Sequence, residues 1–130
     1  MTPTRILANL VGFMLFVQVI LGGSAVLLSL DIVYHIVWGV ATFAVLIATT
    51  VLVARSDGSK SGIFRVSIAA ISDFILQGAL GFTAMGLNSD AIVVVHLTNA
   101  FVLAVLATYL TSMADRPRIA QVAAAKPPGM

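Results

Sequence analysis

The chain has 130 residues, room for one domain, and 60% of them are hydrophobic while only 9% are charged. Soluble domains average about 25% charged residues, so a solvated globule is excluded. The lack of Cys excludes disulfide scaffolds, thiolate metal sites, iron–sulfur ligation and cysteine nucleophiles. The formal charge of +2 and sequence pI near 9.5 come from basic residues in the gaps between apolar runs, as in membrane-flanking segments, and argue against a nucleic-acid partner.

The first apolar run, Ile6 to Leu30, contains no ionisable residue. It is about twice as long as the 7–15-residue core of a signal peptide and lacks a convincing cleavage signature, which predicts a retained first helix. The second run, Ile32 to Ala54, carries His35 as its one group titrating near neutral pH. The third, Ser61 to about Leu87, is interrupted by Arg65 and Asp73, and the fourth, Ala91 to Met113, carries His96. Each run exceeds the roughly 20 residues that cross a hydrocarbon core of about 30 Å as a helix. Helices are the form that satisfies backbone groups over such continuous stretches in lipid. The expected fold is therefore an all-α integral membrane protein, a four-transmembrane-helix bundle over residues 1–113. Residues 114–130, rich in Ala, Pro and polar side chains, are expected to be a flexible cytoplasmic tail.

The connections differ in charge. The loops after the first and third runs contain no Lys or Arg, whereas Arg5, the stretch with Arg55, Lys60 and Arg65, and the tail with Arg116, Arg118 and Lys126 are basic. The positive-inside rule places both termini and the middle loop in the cytoplasm of a plasma-membrane, multi-pass protein.

A weak internal repeat of about 60 residues relates the two halves. Gln18-Val19-Ile20-Leu21-Gly22 recurs as Gln77-Gly78-Ala79-Leu80-Gly81, and the only two histidines follow those glycines by 13 and 15 residues, His35 and His96. Each His is followed four residues later by a small residue, Gly39 or Ala100. This predicts two helical hairpins related by an approximate two-fold axis along the membrane normal.

At about 1.5 Å of rise per residue, His35 lies roughly 6 Å and His96 roughly 9 Å below the outer helix ends, with Gly22 and Gly81 also roughly 9 Å deep. Two imidazoles and two glycines at one level describe a slot for a flat ligand held by its metal. Haem b, ligated axially by His35 and His96 with Gly22 and Gly81 making room for the ring, fits that description. A lone membrane His serves equally to hydrogen-bond across a bundle; two matched in depth and repeat position favour ligation. Zinc usually takes three or four protein ligands, which this chain does not supply. Asp73 has two readings, a protonated acid bonded to a neighbouring helix, or a proton-relay or redox-tuning group. Gln77, one turn away, is its expected partner. Asn99 is expected to bond either a haem propionate or another helix. Trp38 and Tyr34 are expected in an interfacial aromatic belt, and the phenylalanines in packing or lipid contact.

The stretch Gln18-Val-Ile-Leu-Gly-Gly-Ser-Ala-Val-Leu-Leu, followed by His35 near the start of the next helix, resembles the haem A synthase family. Bacterial members of that family look like two fused four-helix bundles, each with a His pair on its second and fourth helices and haem toward the outer face. This chain resembles one such half over roughly residues 5–113, as compact archaeal members do. The resemblance implies His35 and His96 as axial ligands. The chain departs from the family's catalytic half: it has no Glu and no Cys pair, Ile36 follows His35 where Arg is expected, and Asp31 is the acid nearest that place. No catalytic residue is assigned.

The leading functional expectation is a membrane cytochrome b-like protein carrying electrons, alone, as a homo-oligomer or as a respiratory-complex subunit. The alternatives are a haem A synthase-like oxidoreductase that modifies a haem side chain, and a non-catalytic assembly or structural subunit of a membrane complex.

Overall fold

The structure, a computed structural model, describes residues 2–124. These form four helices, α1 (Pro3–Leu28), α2 (Ile32–Ser56), α3 (Gly62–Leu87) and α4 (Asp90–Ala124), with no strand among the described residues.

Local chemistry sets the starts of three helices. Thr2 caps α1 by accepting from the Arg5 N–H, and Pro3 takes a first-turn position where its missing N–H has no partner to lose. The Asp31 carboxylate accepts from the Val33 N–H at 3.0 Å, and Ser61 Oγ from Phe64 N–H at 3.2 Å. α1 and α3 end on Ser29 and Asn88 in the left-handed region, with φ of 56° and 46°, and each reverses direction within a few residues.

Those short turns force α1 to lie antiparallel on α2, and α3 on α4. The two hairpins close into a ring through α1–α4 and α2–α3 packing, which leaves α2 and α4 diagonally opposed. The close-packed core fills one half of the bundle, toward the helix ends that carry the basic residues. Ala8, Val11, Leu15, Leu46, Val53, Ala70, Leu103 and Leu110 meet there. Within it Thr42, Thr49 and Thr50 return their hydroxyls to the carbonyls of Trp38, Val45 and Leu46, so their polar atoms are satisfied inside their own helix. The other half, toward the short turns, holds the histidines, and an open cavity runs from them along the bundle to Thr111 and Asp115.

The outward surface is apolar, with Phe13, Phe16, Leu27, Phe82, Phe101 and Val105 exposed. Each helix is long and apolar enough to cross a membrane, α4 over Asp90–Arg116. A surface of this kind is stable in lipid and not in water, so the chain is a multi-pass membrane protein.

The bundle extends past the boundary expected at residue 113. Arg5 pairs with Asp115, the Thr111 hydroxyl reaches the Ala8 carbonyl at 3.3 Å, and α4 continues to Ala124. Ala-rich sequence after Met113 favours helix over a frayed tail. The remainder of the expected tail, 125–130, lies outside the described residues.

Candidate functional site

His35 and His96 approach each other across the bundle from the diagonal helices α2 and α4. Their ring centres are 6.4 Å apart and their planes make an angle of 76°. Each imidazole is held by the preceding helix of its own hairpin. His35 Nδ1 lies 3.1 Å from the Gln18 main-chain oxygen, and its Nε2 3.3 Å from the Gln18 side-chain nitrogen. His96 repeats this on Gln77, at 3.0 Å and 3.3 Å. A carbonyl only accepts, so Nδ1 carries the proton and donates. Nε2 is then the acceptor and meets an amide N–H. Both rings are thereby fixed in one tautomer and one orientation.

The recurring Gln-x-x-x-Gly spacing explains how an imidazole reaches a helix carbonyl. A carbonyl at position i points toward residue i+4, whose side chain normally shields its second lone pair. At i+4 stand Gly22 and Gly81. A Cβ on Gly22 would lie 2.8 Å from His35 Cε1, and one on Gly81 would lie 3.1 Å from His96 Cε1. These glycines therefore seat the imidazoles themselves, whereas the expectation from sequence gave their space to the ring of a ligand. Gly23 and Gly78 line the same cavity with open space beside them.

The hairpins differ in how the glutamines are held. Gly39 admits the Gln18 amide so closely that a Cβ there would lie 2.8 Å from its nitrogen, and the amide also donates to the His35 carbonyl at 3.1 Å. Gln18 Oε1 is buried without a partner. In the second hairpin Ala100 stands in place of Gly39, and Gln77 is held instead by Asn99, which donates to its Oε1 at 2.9 Å. Asn99 thus bonds another helix, one of its two expected roles. Gln77 spends its amide on His96 and Asn99, not on Asp73, whose Oδ2 is buried without a partner. Trp38 ties α2 to α1: its indole N–H donates to the Met14 carbonyl at 2.8 Å, one turn along from the His35–Gln18 contact. Tyr34 is exposed. Phe43 and Phe74 stack across α2 and α3 with centres 5.3 Å apart and line the cavity.

The four residues singled out from sequence, Gly22, His35, Gly81 and His96, all line one cavity of about 1090 Å³. Sites for cofactor-sized ligands run to about 300–1,000 Å³; this volume is spread along the bundle as far as Thr111 and Asp115, and part of it lies beside the imidazoles. Two imidazoles on opposite sides of one metal, each bonded through nitrogen at about 2 Å, have ring centres roughly 6 Å apart. The observed separation fits that bridge. Nδ1 bound to a carbonyl is also the usual support for a metal-ligating His, leaving Nε2 as the ligating atom. A metal held there would take the Nε2 lone pairs that the Gln18 and Gln77 amides now meet. Among the described residues no three His, Cys, Asp or Glu side chains gather as a metal site. The donor set at hand is thus two imidazoles, which suits a metal whose remaining positions are filled by its own macrocycle.

Sequence reasoning did not anticipate the glutamines as the groups that hold the imidazoles, although the repeat displays them. Comparison of the chain with protein-family profiles, with curated proteins and with solved structures finds no match.

Proposed function

We propose that this is a haem-binding membrane protein of the cytochrome b type, with one haem b held between His35 and His96, and that it carries electrons. The observation that carries this reading is the 6.4 Å separation of two imidazoles, each anchored through Nδ1 on a main-chain oxygen. Haem, when bound, supplies one-electron chemistry at its iron. The protein's part is to present two Nε2 atoms at a fixed spacing, to shield them from water inside a helical ring, and to seat the macrocycle beside Gly23 and Gly78. The resemblance to one half of haem A synthases supports the same ligand pair. The absence of Glu from the sequence favours electron transfer over modification of a haem side chain.

The test is the visible spectrum of protein purified with haem supply ensured. A six-coordinate Soret band in the wild type, lost in His35→Ala and in His96→Ala alike, is expected; a colourless wild type overturns the reading. The two variants should lose similar thermal stability, since either loss breaks the same bridge between hairpins. A band untouched by either substitution would mean that haem binds elsewhere.

We further propose that both termini and the middle loop face the cytoplasm of a plasma membrane, because Arg55, Lys60 and Arg65 lie at that end and the short turns carry no Lys or Arg. Ser59→Cys should then react with a membrane-impermeant thiol reagent only after the membrane is opened; labelling of intact cells reverses the assignment.

A further inference from the structure

The cavity leaves the level of the histidines on one side only. Toward the basic end of the bundle its α2 and α3 walls stop at Phe43 and Phe74, whose rings stack across that seam. Its α1 wall continues to Asn9 and its α4 wall to Asp115. This arm is a trench between α1 and α4. Gly12, Ala104 and Ala107 line it and are too small to fill it. Phe13, Phe16, Ala104 and Thr108 are exposed along it, so the trench opens sideways to the lipid.

The two walls change character together with depth. On α1 the order from the middle of the bundle is Phe16, Phe13, Asn9 and Arg5; on α4 it is Ala104, Thr108, Ser112, then Asp115 and Arg116. Each wall runs from hydrocarbon, through neutral hydrogen-bonding groups, to charge. Arg5 pairs through its Nε with Asp115 at the mouth, and Arg116, on the flank of α4, folds back over the Tyr109 ring with its guanidinium carbon 6.0 Å from the ring centre. A guanidinium has five N–H donors, so Arg5 keeps four beyond that pair. Two guanidiniums against the one carboxylate of Asp115 leave this end of α1 and α4 with one positive charge in excess.

The length of the trench is that of one leaflet. From Thr111 to Ala100 the helix rises roughly 16 Å. Half of a hydrocarbon core of about 30 Å is about 15 Å. A single acyl chain therefore reaches from the mouth to the level of Ala100, one turn from His96.

We propose that the trench binds one anionic glycerophospholipid, drawn from the leaflet on the basic side. Its phosphate lies at Arg5 with Arg116 beside it, its ester groups beside Asn9 and Ser112, and one acyl chain along Gly12, Ala104 and Ala107 toward His96. Basic pockets between membrane helices suit such headgroups. A neutral amphiphile fills the trench but leaves the excess charge unmatched. A second copy seated on this face about a two-fold axis along the membrane normal sets like charge against like at the mouth. The bound acyl chain closes the side of the cavity that leads to the imidazoles, so the site is walled off from the bilayer by a lipid of fixed position.

The experiment is native mass spectrometry of the full chain, purified in detergent and mixed with equal amounts of phosphatidylglycerol and phosphatidylcholine bearing the same acyl chains. The wild type should keep one phosphatidylglycerol, in preference to phosphatidylcholine, under activation that strips further lipid. Arg116→Gln should weaken that preference about fivefold, the contribution of one cation near an anionic surface. Ala104→Phe, which lays a ring across the trench, should release lipid of either headgroup. Ile47→Phe, on the exposed face of α2 away from the cavity, should change neither. If Ala104→Phe fails to fold, Arg116→Gln decides alone. Equal retention of the two lipids by the wild type overturns the proposal, as does a preference that persists in either variant. A dimer that holds no lipid also overturns it and assigns the trench to a second copy. None of these measurements needs haem, so the outcome is independent of what His35 and His96 hold.

Discussion

Four glycines of this chain lack a side chain for different reasons, and the differences are measurable. At Gly22 an added Cβ meets an imidazole that is fastened at Nδ1 and cannot swing away, at 2.8 Å; at Gly81 the equivalent distance is 3.1 Å. At Gly62 the obstacle is the terminal methyl of Met113, at 2.9 Å, the free end of a flexible side chain. At Gly78 an added Cβ meets nothing within 4 Å. Gly22→Ala should therefore displace His35 and cost about 1–3 kcal/mol as an overpacked site. Gly81→Ala should do the same more mildly. Gly62→Ala should be neutral, or stabilising by about 0.4–1 kcal/mol through the unfolded chain. Haem content and unfolding of the purified variants give the ranking; Gly62→Ala losing more than Gly22→Ala would contradict it. The importance of Gly22 and Gly81 was legible in the sequence, through their spacing from the histidines. What fills their gap was not, because that depends on the rotation of the facing helix. A helix apolar on every side gives periodicity nothing from which to read rotation.

At the level of the helix, the spans are readable wherever a charge or a cap interrupts an apolar run. Asp31, Ser61, and Thr2 with Pro3 mark starts by ordinary capping chemistry, and the helices begin within three residues of the apolar runs. The end of α4 is the exception: nothing after Met113 is apolar enough to belong to a membrane span, yet helix propensity continues the element to Ala124. The pairing of α1 with α2 rests on two contacts one turn apart, His35 to the Gln18 carbonyl and Trp38 to the Met14 carbonyl. An indole so close to an outer helix end reads from sequence as an interfacial anchor, since tryptophan serves both uses and only the facing carbonyl decides between them. Trp38→Phe keeps the ring's bulk and removes the donor. It should lower stability by about 0.6 kcal/mol, the usual worth of a polar contact between membrane helices, and by no more than about 1.7. Reversible unfolding in mixed micelles would measure this, with the haem spectrum unchanged. A spectrum that shifted with Trp38→Phe would show that the indole supports the site and not merely the hairpin.

At the scale of the whole molecule, the close-packed core and the paired imidazoles occupy opposite halves of the bundle. The core is built from the first residues of α1 and α3 and the last of α2 and α4; the histidines and their glutamines lie under the short turns, and the cavity beside them extends along the bundle to Asp115. The two-fold repeat was visible in Gln18 and Gln77, Gly22 and Gly81, His35 and His96. The departures from symmetry, Asn99 where the first hairpin has Trp38 and Ala100 where it has Gly39, acquire meaning only once the helices are set side by side.

Every hydrogen bond that orients an imidazole stays within one hairpin: His35 is held from α1 and His96 from α3. Each hairpin is thus a finished half-socket before it meets the other, and the ring of helices is a dimer of such halves written on one chain. The link between them, residues 57–61, supplies none of those bonds, so its work is to keep the halves together and not to shape them. A chain divided at Gly58, with the two pieces made in the same cell, should therefore reassemble in the membrane and recover the spectrum of the intact protein, weakened only by the lost tether. Two halves that insert but never regain it would show that the link instructs the pairing.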